Sequence, residues 1–210
     1  MSSIAVAIIK RLKKTYPNAR IALDHSCPME LLVATILSAQ CTDKRVNIVT
    51  KDLFRKYKSV SDYANANIHA LEQDIRSTGF YRNKAKNIIN AAKMILGTYN
   101  GKVPRTMEEI LELPGVARKT ANIVLGNAYG VVVGIAVDTH VRRVSQRLGL
   151  TENEDPVKIE QDLMKLVPEK DWFVFSYLFQ SLGRDACVAR NPRCPRCVLN
   201  DLCPKIIKDN

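Results

Sequence analysis

Four of the six cysteines crowd into one short segment, CVARNPRCPRCVLNDLC. They are Cys187, Cys194, Cys197 and Cys203, in the spacing C-x6-C-x2-C-x5-C. Four thiolates converging on one loop are the ligand set of a zinc ion or of an iron–sulfur cluster. Zinc ribbons pair two CxxC knuckles. A single CxxC with one cysteine on either side favours a cubane cluster wrapped by one loop, with zinc as the second choice. Four unrelated free thiols at this density is the poorest reading. Arg190, Arg193 and Arg196 lie between the ligands. They can offset the negative charge of a thiolate-bound cluster or, on a loop held rigid by metal, reach phosphates.

A second stretch with chemistry in it is LPGVARKTAN, Leu113 to Asn122. A Pro-Gly turn between two helices aims the backbone N–H groups of Gly115, Val116 and Ala117 outward, which suits a phosphate and reads no base. An ordinary helix hairpin is the plain alternative. Arg118 and Lys119 follow at a helix start, where anions rather than cations are favoured. Lys119 then has two readings. It contacts a phosphate, or it is a nucleophile whose charged form the helix end and Arg118 disfavour, able to attack an electrophilic carbon. Residue types alone put the phosphate contact first. Asp138, in VDTHVRRV, is sufficiently explained as a helix N-cap. It is also a carboxylate that can stabilise a developing positive charge or assist proton transfer. His140 reads as a packed or capping residue rather than a catalyst.

The elements that must hold these residues are helical almost throughout. Apolar residues at Ile4, Ile8, Ile9 and Leu12 predict an amphipathic helix over 4–16. Further helices are predicted over 28–39 (apolar on most sides and so buried, with Pro28 at its first position), 43–57, from Ser61, from about Ile68 to Gly79, and over 82–98. Residues 106–111 follow, with Thr106 and Glu109 spaced as a capping box. Then come 117–125, 138–148, 155–166 and 172–182. Tyr129 to Val137, YGVVVGIAV, is β-branched enough to pass for a strand. A lone strand has no partner, so it reads as an extended connection between two helical lobes.

Length and composition fit this frame. The 210 residues suit one large domain or two small ones, and 46% hydrophobic with 25% charged residues is ordinary globular usage. No run approaches membrane-spanning length. MSSIAVAIIK lacks the basic start of a signal peptide and reads as the first turns of a helix; a cytosolic protein is expected, and disulfides are not. The net charge of +11 is spread along the chain without a basic tail. A folded protein with a polyanion-binding face accounts for it, nucleic acid being the commonest partner of such a surface.

Several of these features coincide in order along the chain. LPGVARKTAN is followed by VDTHV, its aspartate nineteen residues after the lysine, and then by the cysteine spacing. Together with LLVATILSAQCTD (31–43) and GFYRNKAKNI (79–88), they resemble the endonuclease III family of DNA base-excision repair enzymes over nearly the whole chain.

The resemblance implies an all-α fold of two closely apposed helical lobes with a DNA groove between them. One is a six-helix barrel over 21–131, including a helix-hairpin-helix motif at about 106–126. The other joins 1–20 to 132–210 and carries a [4Fe–4S] cluster in the loop 187–203. It also implies a bifunctional DNA glycosylase and abasic-site lyase acting on oxidised or damaged pyrimidines flipped out of duplex DNA. Lys119 would attack the deoxyribose C1′, and the resulting Schiff base would lead to β-elimination and a cut 3′ to the lesion. Asp138 would assist glycosidic cleavage. Gln40 matches a residue that fills the gap left by the flipped nucleotide, and Phe80 occupies the position of an apolar wedge that is often leucine. Gly115, Val116, Ala117 and Arg118 would hold the DNA backbone, with Arg190 and Arg193 contributing from the cluster loop.

The implied partner is double-stranded DNA containing damaged bases or abasic sites, bound by a monomer without a membrane. The implied location is the cytoplasm of a prokaryote, at the nucleoid. Two departures stand out: Ala117 replaces the second glycine of the usual hairpin, and Ser181-Leu182 replaces a His-containing stretch. A monofunctional adenine or mismatch thymine glycosylase is disfavoured because such relatives generally lack the lysine. A non-catalytic DNA-binding module with a structural metal leaves the joint presence of Lys119 and Asp138 unexplained, and an electron-transfer protein leaves the large basic body unexplained.

Overall fold

The structure, a computed structural model, describes residues 3–206. Its α-helices are α1 (Ser3–Thr15), α2 (Pro28–Leu37), α3 (Asp43–Lys56), α4 (Val60–Ala64), α5 (Ile68–Asp74), α6 (Tyr81–Thr98), α7 (Met107–Leu111), α8 (Arg118–Tyr129), α9 (Thr139–Arg147), α10 (Pro156–Leu166) and α11 (Trp172–Asp185). Short 3-10 turns cover Arg76–Thr78, Glu169–Asp171 and Cys194–Arg196. No β-strand occurs among the described residues, so the fold is all-α. No described helix is long and apolar enough to cross a membrane. The chain divides into two compact units, one running from Ala22 to Val131, the other made of the chain up to Ile21 and the chain from Val132 onward.

In the unit from Ala22 to Val131, α2 is the central element. Met29 and Leu31 to Leu37 are all buried, which is why this segment is apolar on every side. It packs against α3, α6 and α8. It ends at Leu37, short of the predicted Ala39, because the Ser38 hydroxyl donates to Thr35 O (2.8 Å) and the Cys41 N–H closes a turn on Ser38 O (3.1 Å). The long helix α6 buries Lys84, Ala85, Ile88, Ile89, Ala91, Ala92 and Ile95 along one stripe. The start read at Ser61 moves forward to Val60, since Ser59 accepts the Asp62 N–H while the Asp62 carboxylate accepts the Ser59 N–H, a complete capping box.

The other unit buries Ile8, Ile9 and Leu12 of α1 together with residues of α9, α10 and α11, and the stacked Phe175 and Phe179 rings lie 3.9 Å apart. Its core also takes in Ile135 and Val137. That accounts for the strand-like composition of 129–137: the branched side chains fill a core, not a sheet. The helix before it overruns its predicted end at Leu125 and stops at Gly130 (φ 67°), whose N–H and that of Val131 satisfy Gly126 O and Leu125 O at 3.2 and 3.1 Å.

Candidate functional site

The hairpin before α8 is shaped by Gly115, at φ +81°, a backbone state that L side chains rarely adopt. A Cβ there would lie 2.8 Å from Cβ and Nδ2 of Asn87 on α6, so glycine also lets the hairpin lie against that helix. The N–H of Val116 donates inward to Leu113 O (3.1 Å) and its side chain is buried. Of the three N–H groups expected to face an anion, Val116 is therefore spent within the turn, while Gly115 and Ala117 lie at the surface. Ala117 has φ −98°, so the alanine in place of the usual glycine introduces no strain.

The start of α8 has no side-chain cap, a feature it shares with α2, α6 and α11. Thr42, Ser59, Asn67, Thr106, Asp138 and Asp155 each accept a first-turn N–H with their side chains. Ala117 has no side chain that can do so. The first α8 backbone bond runs from Ala121 N–H to Ala117 O, so the first-turn N–H groups of Lys119 and Thr120 precede the intrahelical ladder. Such a helix end attracts anions. Lys119 is its second residue and is half-buried, as is Arg118.

Gln40 and Phe80, in the turns leading into α3 and α6, share an unusual backbone. Both are exposed, Phe80 to 63%, and both have positive φ (52° and 47°). Left-handed non-glycine residues cost energy and cluster where function requires a fixed direction. Nothing in the residue types announced this.

Asp138 is half-buried at the N-cap of α9, its Oδ1 accepting the Val141 N–H at 2.8 Å. Two residues on, His140 packs against α11 so closely that a Cβ on Gly183 would sit 2.8 Å from its Nδ1. Burial pushes the imidazole below its usual range, so at neutral pH it is an uncharged packing residue.

The four cysteines line one cavity with Arg147, Ala186, Pro192, Asn200 and Lys205, enclosing about 350 Å³ of atom-free space that is partly open to solvent. Among the described residues, no three metal-ligating side chains close to single-ion distance. The donor set fits a thiolate-bound group. Cys197 Sγ receives the Leu199 N–H at 3.5 Å, Cys203 Sγ the Lys205 N–H at 3.3 Å and Cys187 Sγ the Arg147 guanidinium at 3.5 Å. Burial, and then the neighbouring cysteines, push the Cys197 and Cys203 thiols up, a cost that ligation removes.

Arg143 and Arg147, which the sequence did not single out, hold this loop to α9. Arg143 donates to Gly183 O (2.9 Å) and Cys187 O (3.0 Å), and Arg147 to Val188 O (2.7 Å) and Ala189 O (2.9 Å). Both lie in the VDTHVRRVSQR run, where the plain reading of an arginine is a solvated face. Arg190 and Arg193 are exposed, and Arg193 also donates to Asp185 O at 3.2 Å.

Comparison with known proteins bears directly on this arrangement. Residues 33–169 match the HhH-GPD superfamily of base excision DNA repair proteins, and 187–203 match the iron–sulfur binding domain of endonuclease III. Endonuclease III of Synechocystis sp. is 54% identical to the chain, covering 95% of it and 91% of the relative. The chain belongs to the endonuclease III family. The Bacillus subtilis endonuclease III is 50% identical over 93% of this chain and 89% of its own length. A solved structure, a trapped covalent intermediate of an endonuclease III with DNA, superposes with a TM-score of 0.92 at 46% identity, covering 98% of this chain and 97% of that one. As a member of the family, the protein is a base-excision DNA repair enzyme whose cysteine loop is an iron–sulfur binding domain.

Proposed function

We infer that the protein is a bifunctional enzyme, a DNA N-glycosylase and an abasic-site lyase, with Lys119 as its nucleophile. One observation carries this. A close structural relative has been caught as a covalent intermediate on DNA, and here a half-buried lysine stands in the first turn of α8, whose N-cap Ala117 supplies no side-chain cap. The DNA backbone lies against the N–H groups of Gly115 and Ala117 and the α8 N-terminus, with Arg118 beside them. Arg190, and in part Arg193, add phosphate contacts.

The damaged pyrimidine leaves the stack, Gln40 takes the space it vacates, and Phe80 wedges against the neighbouring base. Nζ of Lys119 attacks C1′ with its lone pair and forms the C–N bond as the glycosidic bond breaks; the base departs with the bonding pair and takes up a proton, while the newly bonded nitrogen sheds one. The Asp138 carboxylate stabilises the positive charge that develops on the sugar. The C1′–O4′ bond then breaks, the nitrogen lone pair forming the C1′=N bond of the Schiff base while O4′ takes up a proton; removal of a C2′ proton expels the 3′ phosphate with the C3′–O bonding pair, and water hydrolyses the C=N bond to release Lys119.

The cysteine loop is suited to a [4Fe–4S] cluster, ligated by Cys187, Cys194, Cys197 and Cys203, which when bound holds the loop in one conformation. Oxidised pyrimidines in duplex DNA are the substrate class. The enzyme acts as a monomer in the bacterial cytoplasm, at the nucleoid.

The test is reductive trapping. Wild type incubated with a duplex carrying thymine glycol and borohydride is expected to give a covalent complex. Lys119→Gln is expected to reduce that complex to background while keeping its iron content and duplex affinity. A glutamine variant that traps at the wild-type rate would place the nucleophile elsewhere.

A further inference from the structure

Lys84 is the one lysine buried in the described structure, 5% exposed on the apolar stripe of α6. Its Nζ donates to Leu37 O and to Thr78 O, each at 2.8 Å. These two carbonyls are not arbitrary. Leu37 is the last residue of α2, three before Gln40, and Thr78 closes the 3-10 turn two before Phe80. Both lie at helical C-termini, where orphan carbonyls carry partial negative charge and a cation is favoured. The backbone N–H of Lys84 also donates to Phe80 O at 3.1 Å, so the same residue closes the first turn of α6 onto the wedge.

We propose that Lys84 is a positioning residue for strand opening: its ammonium ties the Gln40 turn to the Phe80 turn, so that the two side chains meet the duplex as one rigid unit. The strain at Gln40 and Phe80 supports this. A left-handed non-glycine residue persists only where its surroundings over-determine it, and one buried cation bonded to both turns does that. A fixed pair enters the stack together, whereas two loose turns must be ordered by the DNA at the expense of affinity. One turn further along α6, Asn87 lies against Gly115 of the phosphate-binding hairpin. The helix therefore relates wedge, gap-filler and backbone contact through its own rigidity.

The inference rests on Gln40 and Phe80 being the inserting residues, and the experiment separates the two claims. Lys84→Met, Lys84→Arg, a Gln40→Ala/Phe80→Ala double variant and the triple variant with Lys84→Met are compared under single-turnover conditions, at a temperature where circular dichroism shows all to be folded. The readouts are thymine glycol excision from duplex and borohydride trapping on a single-stranded abasic oligonucleotide, which has no stack to open. Lys84→Met is expected to lower the duplex-to-single-strand ratio by about 10-fold. In the double-variant background the same change is expected to lower it by less than about 2-fold, because the residues it acts through are gone. Lys84→Arg, which keeps a buried cation, is expected to recover part of the loss and covers the case in which the methionine variant does not fold.

Equal losses on both substrates, or the same factor in both backgrounds, would make Lys84 a general support of the fold and overturn the proposal. A double variant as active as wild type would instead remove Gln40 and Phe80 from strand opening, and the proposal with them.

Discussion

Asp138 caps α9, and a single substitution can separate that cap from the catalytic role proposed for it. Its Oδ1 accepts the Val141 N–H at 2.8 Å, and that cap needs an oxygen but not a charge. Stabilising a developing oxocarbenium needs the charge. Asparagine supplies the oxygen in the same place. Asp138→Asn is therefore expected to cost no more than about 0.5 kcal/mol in urea unfolding, the helix-dipole share, while excision falls about 100-fold. Asp138→Ala loses the cap as well and is expected to cost about 1 kcal/mol more. Comparable excision by the asparagine variant and the wild type would leave Asp138 as a cap alone. The contrast also marks what one residue's neighbours reveal. The cap was legible because it is a local relation between Asp138 and the helix after it. Lys119 belongs to the other compact unit, and no spacing rule relates it to Asp138.

The elements were legible wherever one helix could be read from its own period, and less so where two meet. The apolar run of α2 announces its burial, and the Pro-Gly turn announces the hairpin. That Val116 spends its N–H on Leu113 O follows from the backbone path through Gly115, which residue types leave open. The Thr106–Glu109 pair looked like a capping box. Thr106 does accept the Glu109 N–H (3.3 Å), but the Glu109 carboxylate takes the Thr106 hydroxyl (2.9 Å) instead of reaching for its backbone. Lys84 had a usable signal: it sits four residues before Ile88, on the face that Ile88 and Ile95 bury, where a lysine needs a partner. Gly115 gives the sharpest test at this scale. Gly115→Ala meets both a positive φ and Asn87, and is expected to cost about 1–3 kcal/mol and to weaken duplex binding. Ala117→Gly, at negative φ, is expected to shift stability by less than about 1 kcal/mol. If the two variants unfold at the same urea concentration, the hairpin is not held against α6 as described.

For the molecule as a whole, the two compact units give separable expectations, and net charge gives a third. Cys187, Cys197 and Cys203 pack against the core that α1, α9 and α11 share, and the loop carbonyls are held by Arg143 and Arg147. Oxidative loss of the cluster is expected to speed hydrogen exchange in 187–203 and in α9, and to leave α2 to α8 protected, since cluster ligation contributes folding energy where its ligands are. Uniform loss across the chain would show that the loop does not act locally.

Charge sets the affinity for DNA as a whole. With 32 basic against 21 acidic residues, binding is expected to weaken linearly in a log–log plot against salt, the slope falling by about 0.9 for each phosphate contact removed. The arginines of the cluster loop should not be equivalent. Arg190 is exposed, whereas the Arg193 guanidinium already donates to Asp185 O. Arg190→Gln is expected to flatten the slope by about one contact without changing stability. Arg193→Gln is expected to flatten it less and to loosen the turn between α11 and the loop. Titrating an undamaged duplex at several salt concentrations measures both, and unchanged slopes in both variants would remove the cluster loop from the DNA-binding surface.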